Sequence, residues 1–286
     1  MVFKFGVDSF IWAEEFSEKD LWIIEKAKQL GFELIDFAIA DPFAFPTEAV
    51  KKELERVGID CVTTTTLTET TNPISPDAAI RNMSLDALKK AVEICNEINA
   101  PILGGVNYAA WSYLTKKPPT EQEWEWSVGI LGKAADYARE TGDVTLCVEI
   151  VQRDETHLLN TAADGVRFCK DTGRDNVKVH LDCFHMIREE KSFTDAVKTC
   201  GKKYLKYIHV NENDRGIPGT GLVPFEEFFR ALIDIDYDGP MVIESFDSSF
   251  EKLAGSCAIW RKLAESGEDL AIQGLANLKA IAAKMQ

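Results

Sequence analysis

Four acidic or imidazole side chains each close an apolar run in the second half of the chain. TLCVEI carries Glu149, VKVHLD ends at Asp182, YLKYIHV carries His209 and MVIES carries Glu244. Two glutamates, an aspartate and a histidine brought to one point destabilise one another unless a cation joins them. A divalent metal neutralises the three carboxylates and accepts the imidazole nitrogen. Taken alone, each residue reads as a helix cap, a surface charge or a hydrogen-bonded structural histidine. Four consecutive runs ending this way read as a ligand set. The mixed N/O donors suit Mn2+, Mg2+, Co2+ or Zn2+, and the lack of a thiolate argues against a structural zinc site.

The elements that must position these residues repeat along the chain. A helix-like segment ends near a Gly or Asn, and a short apolar strand follows at once. The unit appears at residues 30–39, 57–66, 98–106, 141–150, 172–182, 200–210 and 237–245, and KFGVDSF at the start adds an eighth strand. Glycine serves as the helix C-cap because it accepts positive φ without a Cβ clash. Between the strands lie stretches such as SEKDLWIIEKAKQL, PTEAVKKELERV and FEEFFRALIDI, with apolar residues at helical spacing. Strand alternating with helix implies parallel strands joined by right-handed crossovers. Eight units predict an α/β fold, a (β/α)8 TIM barrel, as a single domain over residues 1–286. The main alternative is an open doubly wound sheet, although no Gly-rich phosphate loop follows the first strand. The irregular stretches 107–124 and 211–224 both follow strands, so a barrel puts both on its catalytic face.

The bulk composition narrows the partners. The chain has 286 residues, enough for one barrel of roughly 250 residues. Its formal net charge of -15 repels polyanions, and no Lys/Arg run is present to displace counterions from nucleic acid. Seven cysteines without a CxxC pair fit a reducing compartment. The N-terminus lacks a signal-peptide layout and no apolar run reaches membrane-spanning length. The expectation is a cytoplasmic protein with neither a membrane nor a nucleic-acid partner.

The stretch VEIVQRDETHLLNTAADGVRFCKDTGRDNVKVHLDCFHMIREEKSF resembles the ketose 3-epimerases, the group of D-tagatose and D-psicose 3-epimerases. The resemblance continues through HVNENDRGIPGTGLVPFEEFFRALIDIDYDGPMVIESF and is looser over the N-terminal half, including the GGV…W segment. It implies a metal-dependent isomerase acting on a small free sugar, with one ion, Mn2+ or similarly Co2+ or Mg2+, on Glu149, Asp182, His209 and Glu244. It also implies that Glu149 and Glu244 form the acid/base pair, exchanging the carbon-3 proton through an enediolate. Glu155 in RDETH, His185 in LDCFHM and Arg215 in NENDRG match substrate contacts of the family. Trp111 matches a tryptophan that presents an apolar face to the sugar, and Trp12 is a second candidate wall. Relatives form homodimers or homotetramers, so self-association is implied as well.

The chain departs from the family at three places, one of them the ME-P-F ending, which reads Ile243-Glu244-Ser245-Phe246 here and adds no carboxylate. Many relatives carry an aromatic residue where Asp8 stands, and NRFE where this chain has Gln152-Arg153-Asp154-Glu155. Both changes are expected to put extra carboxylate into the substrate wall, with Asp8 as a contact, which leaves the preferred sugar open. An aldose–ketose or hydroxypyruvate-type isomerase would use the same ligands and enediolate. A zinc-dependent repair nuclease on this barrel would need a basic rim and more histidines than the four present. A non-catalytic sugar-binding barrel would not need both glutamates.

Overall fold

The computed structural model describes residues 3–285. Eight parallel strands close on themselves in chain order. They are β1 (Lys4–Asp8), β2 (Leu34–Ile39), β3 (Asp60–Thr65), β4 (Ile102–Gly104), β5 (Thr145–Ile150), β6 (Val177–Asp182), β7 (Leu205–His209) and β8 (Pro240–Ile243). Closure is made by β1 on β8, with Val7 beside Ile243. The open-sheet alternative is thereby excluded. Every strand falls inside its sequence-derived segment, and Glu244 stands one residue beyond the end of β8.

Helices cover the outside of the strands. Among them are Thr47–Val57, Ala78–Ile98, Glu121–Thr141, Ala162–Thr172 and Phe225–Asp234, while Gly267–Ala283 packs near β8 and the start of the chain. Left-handed caps end three of them, Gly58 at φ 69°, Asn99 at φ 58° and Gly173 at φ 65°. Gly142 ends another helix without a left-handed cap. Its φ of 179° suits any residue, but a Cβ there would sit 2.1 Å from Oδ1 of Asn96. No helix among the described residues is long and apolar enough to cross a membrane.

Strand alternation decides what enters the barrel. On β5, Val148 and Ile150 join the main core against the helices. Cys147 joins a separate buried cluster with Leu34, Val62, Ile102, Tyr207 and Val242, which plugs the barrel from within. Glu149, two residues on from Cys147, stands above that plug. The same parity on β6 sends Val179 and Leu181 outward and leaves His180 and Asp182 to the interior. All seven cysteines are free, six of them buried.

Candidate functional site

The C-terminal ends of β5 to β8 bring the four sequence-derived residues together. Glu149, Asp182, His209 and Glu244 are buried, and each offers a ligand atom within 4.8 Å of the others. Nδ1 of His209 faces the three carboxylates, 3.4 Å from Glu244 and 3.7 Å from both Glu149 and Asp182. That nitrogen is buried and makes no hydrogen bond. Asp182 divides its oxygens between two tasks. Oδ1 caps the helix Cys183–Glu189 by accepting from Phe184 N at 2.7 Å, and Oδ2 turns to the cluster.

The charge in this interior does not balance. Asp8, Asp36, Glu149, Asp182 and Glu244 are five buried carboxylates. The buried cation that meets them is Arg215, whose Nη1 bonds Glu244 and lies 3.2 Å from Asp182. Burial resists ionisation of Glu244 and Asp182, but Arg215 together with His209 and His185 outweighs it and holds both carboxyls below their usual range. Glu149 has weaker compensation, so burial pushes its carboxyl well above that range. The carboxylates in turn hold the His209 imidazole well above its usual value against the effect of burial. An excess of carboxylates around one unpartnered imidazole nitrogen fits a divalent cation, and these residues form a divalent-metal-binding cluster.

The loop after β7 is built to deliver Arg215. Glu212 is fully buried and its carboxylate accepts from three backbone amides: Asn213 at 3.0 Å, Val223 at 2.9 Å and Gly219 at 2.9 Å. Arg215 itself adopts φ 64°, and Ser245 donates to its carbonyl. Its guanidinium lies 4.1 Å from the Phe184 ring and 5.0 Å from that of Phe246. Asn211 braces the cluster by donating to Asp182 at 2.8 Å and accepting from Glu244 N at 2.8 Å.

A cavity of ≈ 250 Å³ opens over the cluster. Its lining includes Glu149, Glu244, His185, Arg215, Glu155 and Trp111. This is near the lower end for small-molecule sites, roughly 300 Å³. Trp111 Nε1 donates to Glu155 at 2.7 Å and Gln152 Nε2 donates to its other oxygen at 3.0 Å. His185 is fully buried, with Nε2 3.9 Å from Glu149 and 3.4 Å from Nη2 of Arg215. Burial lowers its basicity. Cys257 also lines the cavity, but burial pushes its thiol up to about 12, so it offers no thiolate.

Three residues expected at the sugar lie elsewhere. Asp8 is fully buried and does not line the cavity. Its strand parity turns it into the barrel, where Oδ1 accepts from Phe10 N and starts a short helical turn. Asp154 is exposed and pairs with Arg188 on the outer rim. Trp12 packs against the main core and is absent from the cavity lining. Neither Asp8 nor Asp154 therefore lines the cavity over the cluster, and Asp154 lies instead on an adjoining cavity that shares Trp111, Glu155 and Phe184 with it. Asp36, His180, Tyr207, Asn211 and Glu212, all buried close to the cluster or its loop, were not singled out by the sequence. Asp36 had a signal, as the one charge inside LIDFAI.

Comparison with known proteins places these features among relatives. The model of the xylose isomerase-like TIM barrel matches residues 24–281. A ketose 3-epimerase of Arthrobacter globiformis is 33% identical over 271 residues, 93% of this chain and 92% of the relative. A D-psicose 3-epimerase of Agrobacterium fabrum is 34% identical over 94% of this chain and 93% of its own. The crystal structure of a D-allulose 3-epimerase from Methylomonas sp. superposes with a TM-score of 0.93 at 32% identity, covering 98% of both chains.

Proposed function

The chain belongs to the ketose 3-epimerase family of xylose isomerase-like TIM barrels, and from that premise we propose that it inverts carbon 3 of a free ketose, with Glu149 and Glu244 as the acid/base pair. The observation that carries this reading is that two glutamates, from β5 and from just beyond β8, line one small cavity above a divalent-cation cluster. Glu149, Asp182, His209 and Glu244 would hold the ion, which we assign as Mn2+ because the donors are hard carboxylate oxygens with one imidazole. When bound, that ion supplies positive charge to the ketose oxygens and so stabilises the enediolate.

The chain's own groups do the rest. The hydrogen on carbon 3 is acidic because it lies α to the carbon-2 carbonyl. One glutamate takes it as a proton, and the electron pair moves onto the carbonyl oxygen. The other glutamate returns a proton to the opposite face, and the carbonyl re-forms. Two carboxylates are needed because one base cannot serve both faces of a planar enediolate. The Nε2–H of His185 and the guanidinium of Arg215 donate to the substrate oxygens where charge develops. Glu155, held by Trp111 and Gln152, accepts from a sugar hydroxyl.

Free sugars suit this cavity better than their phosphates. Its lining carries Glu14, Glu149, Glu155 and Glu244 against the one guanidinium of Arg215, whose Nη1 is taken by Glu244 and Asp182 and whose remaining N–H groups are too few to balance a phosphate dianion. The test is a panel of free and phosphorylated ketohexoses and ketopentoses, with products resolved by chromatography. Carbon-3 epimers formed from the free sugars are expected. Aldose products, or a strong preference for a ketose phosphate, would contradict the reading.

A further inference from the structure

The far side of the His209 ring is as tightly specified as the side facing the ligand cluster. Nε2 of His209 lies 3.2 Å from the Tyr207 hydroxyl and 3.4 Å from Oδ2 of Asp36. Tyr207 donates its own proton to that same Asp36 oxygen. All three side chains are fully buried. The Tyr207 hydroxyl, having given its proton to Asp36, can only accept from His209, and the Asp36 carboxylate also only accepts. Both neighbours therefore require Nε2 to carry the hydrogen. Nδ1, which makes no hydrogen bond, faces Glu149, Asp182 and Glu244 and is the nitrogen that offers a lone pair once an arriving cation displaces its proton.

The ring is also walled in. His180 packs edge-to-face on His209 with centroids 4.2 Å apart, and lies 4.2 Å from the Tyr207 ring. Room for this stack comes from Gly104, where a Cβ would sit 2.8 Å from Cδ1 of Tyr207. Thr64 reaches the other oxygen of Asp36 at 3.4 Å.

We infer that Asp36 and Tyr207 are positioning residues that fix His209 as its Nε2–H tautomer and present Nδ1 to the cation. This rests on the proposed metal role of His209. Partners of this kind orient a ligating imidazole and raise its basicity, and their loss typically weakens metal binding by about 10–100-fold.

The test uses Tyr207→Phe, which removes one oxygen, and Asp36→Asn, which turns an acceptor into a group that can donate. Mn2+ alone is titrated by calorimetry into the chelator-treated wild type and both variants, after circular dichroism and thermal melting establish that each is folded. A loss of about tenfold in Mn2+ affinity is expected for Tyr207→Phe and up to about 100-fold for Asp36→Asn. Nitrogen-15 NMR of the histidine-labelled, Mg2+-loaded wild type reads the tautomer directly, and the chain's four histidines make assignment practical. Protonated Nε2 on His209 is expected, and protonated Nδ1 overturns the inference even if a variant fails to fold. Folded variants that bind Mn2+ as the wild type does overturn the inference alone. A wild type that binds no Mn2+ overturns the metal reading and the inference with it.

Discussion

The backbone N–H of Gln152 donates to Nδ1 of His185 at 3.2 Å. The neutral ring must then carry its hydrogen on Nε2, which lies 3.9 Å from Glu149 and 3.9 Å from Glu155 at the cavity. A pre-aimed neutral donor is suited to charge that appears only as the reaction proceeds. His185→Ala is expected to lose about 10²–10³ in kcat, the usual effect of removing one such donor, with metal stoichiometry intact. Steady-state kinetics with metal analysis on the same samples checks it. A rise in KM at constant kcat would mean that His185 binds substrate and transition state equally.

The Trp111 indole holds Glu155 at 2.7 Å. Trp111→Phe keeps an aromatic face and removes the donor. A hydrogen bond to a charged group contributes about 1.5–3 kcal/mol, so kcat/KM is expected to fall by about 10–100-fold, mostly through KM. Unchanged kinetics would show that Gln152 alone suffices to fix Glu155.

The loop that carries Trp111 leaves β4 through Gly105, at φ 98°. A Cβ there would lie 2.1 Å from the carbonyl oxygen of Thr65, which is backbone and cannot swing away. Gly105→Ala is expected to destabilise the protein by at least about 2 kcal/mol, from strain and overpacking together. Urea unfolding would show it as a lower midpoint at similar slope. A midpoint equal to that of the wild type would rule out this close approach.

Much of the fold and the cluster was legible because both repeat. Each of Glu149, Asp182, His209 and Glu244 interrupts an apolar run at its end, and the runs recur with helices between them. The supporting layer was harder to see. Tyr207 and His180 sit inside strand runs, where aromatic residues are ordinary β formers. Glu212 looks like a loop charge, and only the folded loop reveals three amides converging on it. Asp8 was misplaced for a related reason. Its position on β1 was visible, but whether its level met the cavity or the space beneath depended on the stagger of the closed barrel.

Removal of the cation should be felt in stability as well as in turnover. Dialysis against a chelator is expected to abolish activity, and Mn2+ to restore it. At 100 times its dissociation constant the ion should add about 2.7 kcal/mol to the unfolding free energy. Full turnover in a verified metal-depleted sample would contradict the assignment.

The most direct test of the two-glutamate account follows solvent hydrogen. The ketose is incubated in heavy water with wild type, Glu149→Gln and Glu244→Gln, each with its metal content measured, since both residues are proposed ligands. Wild type is expected to place deuterium at carbon 3 of the epimer and none at carbon 1. Each metal-replete variant is expected to lose at least about 10²-fold in epimerisation, the lower range for a general acid/base step. Deuterium at carbon 1, or a metal-replete variant that epimerises at nearly the wild-type rate, would contradict it.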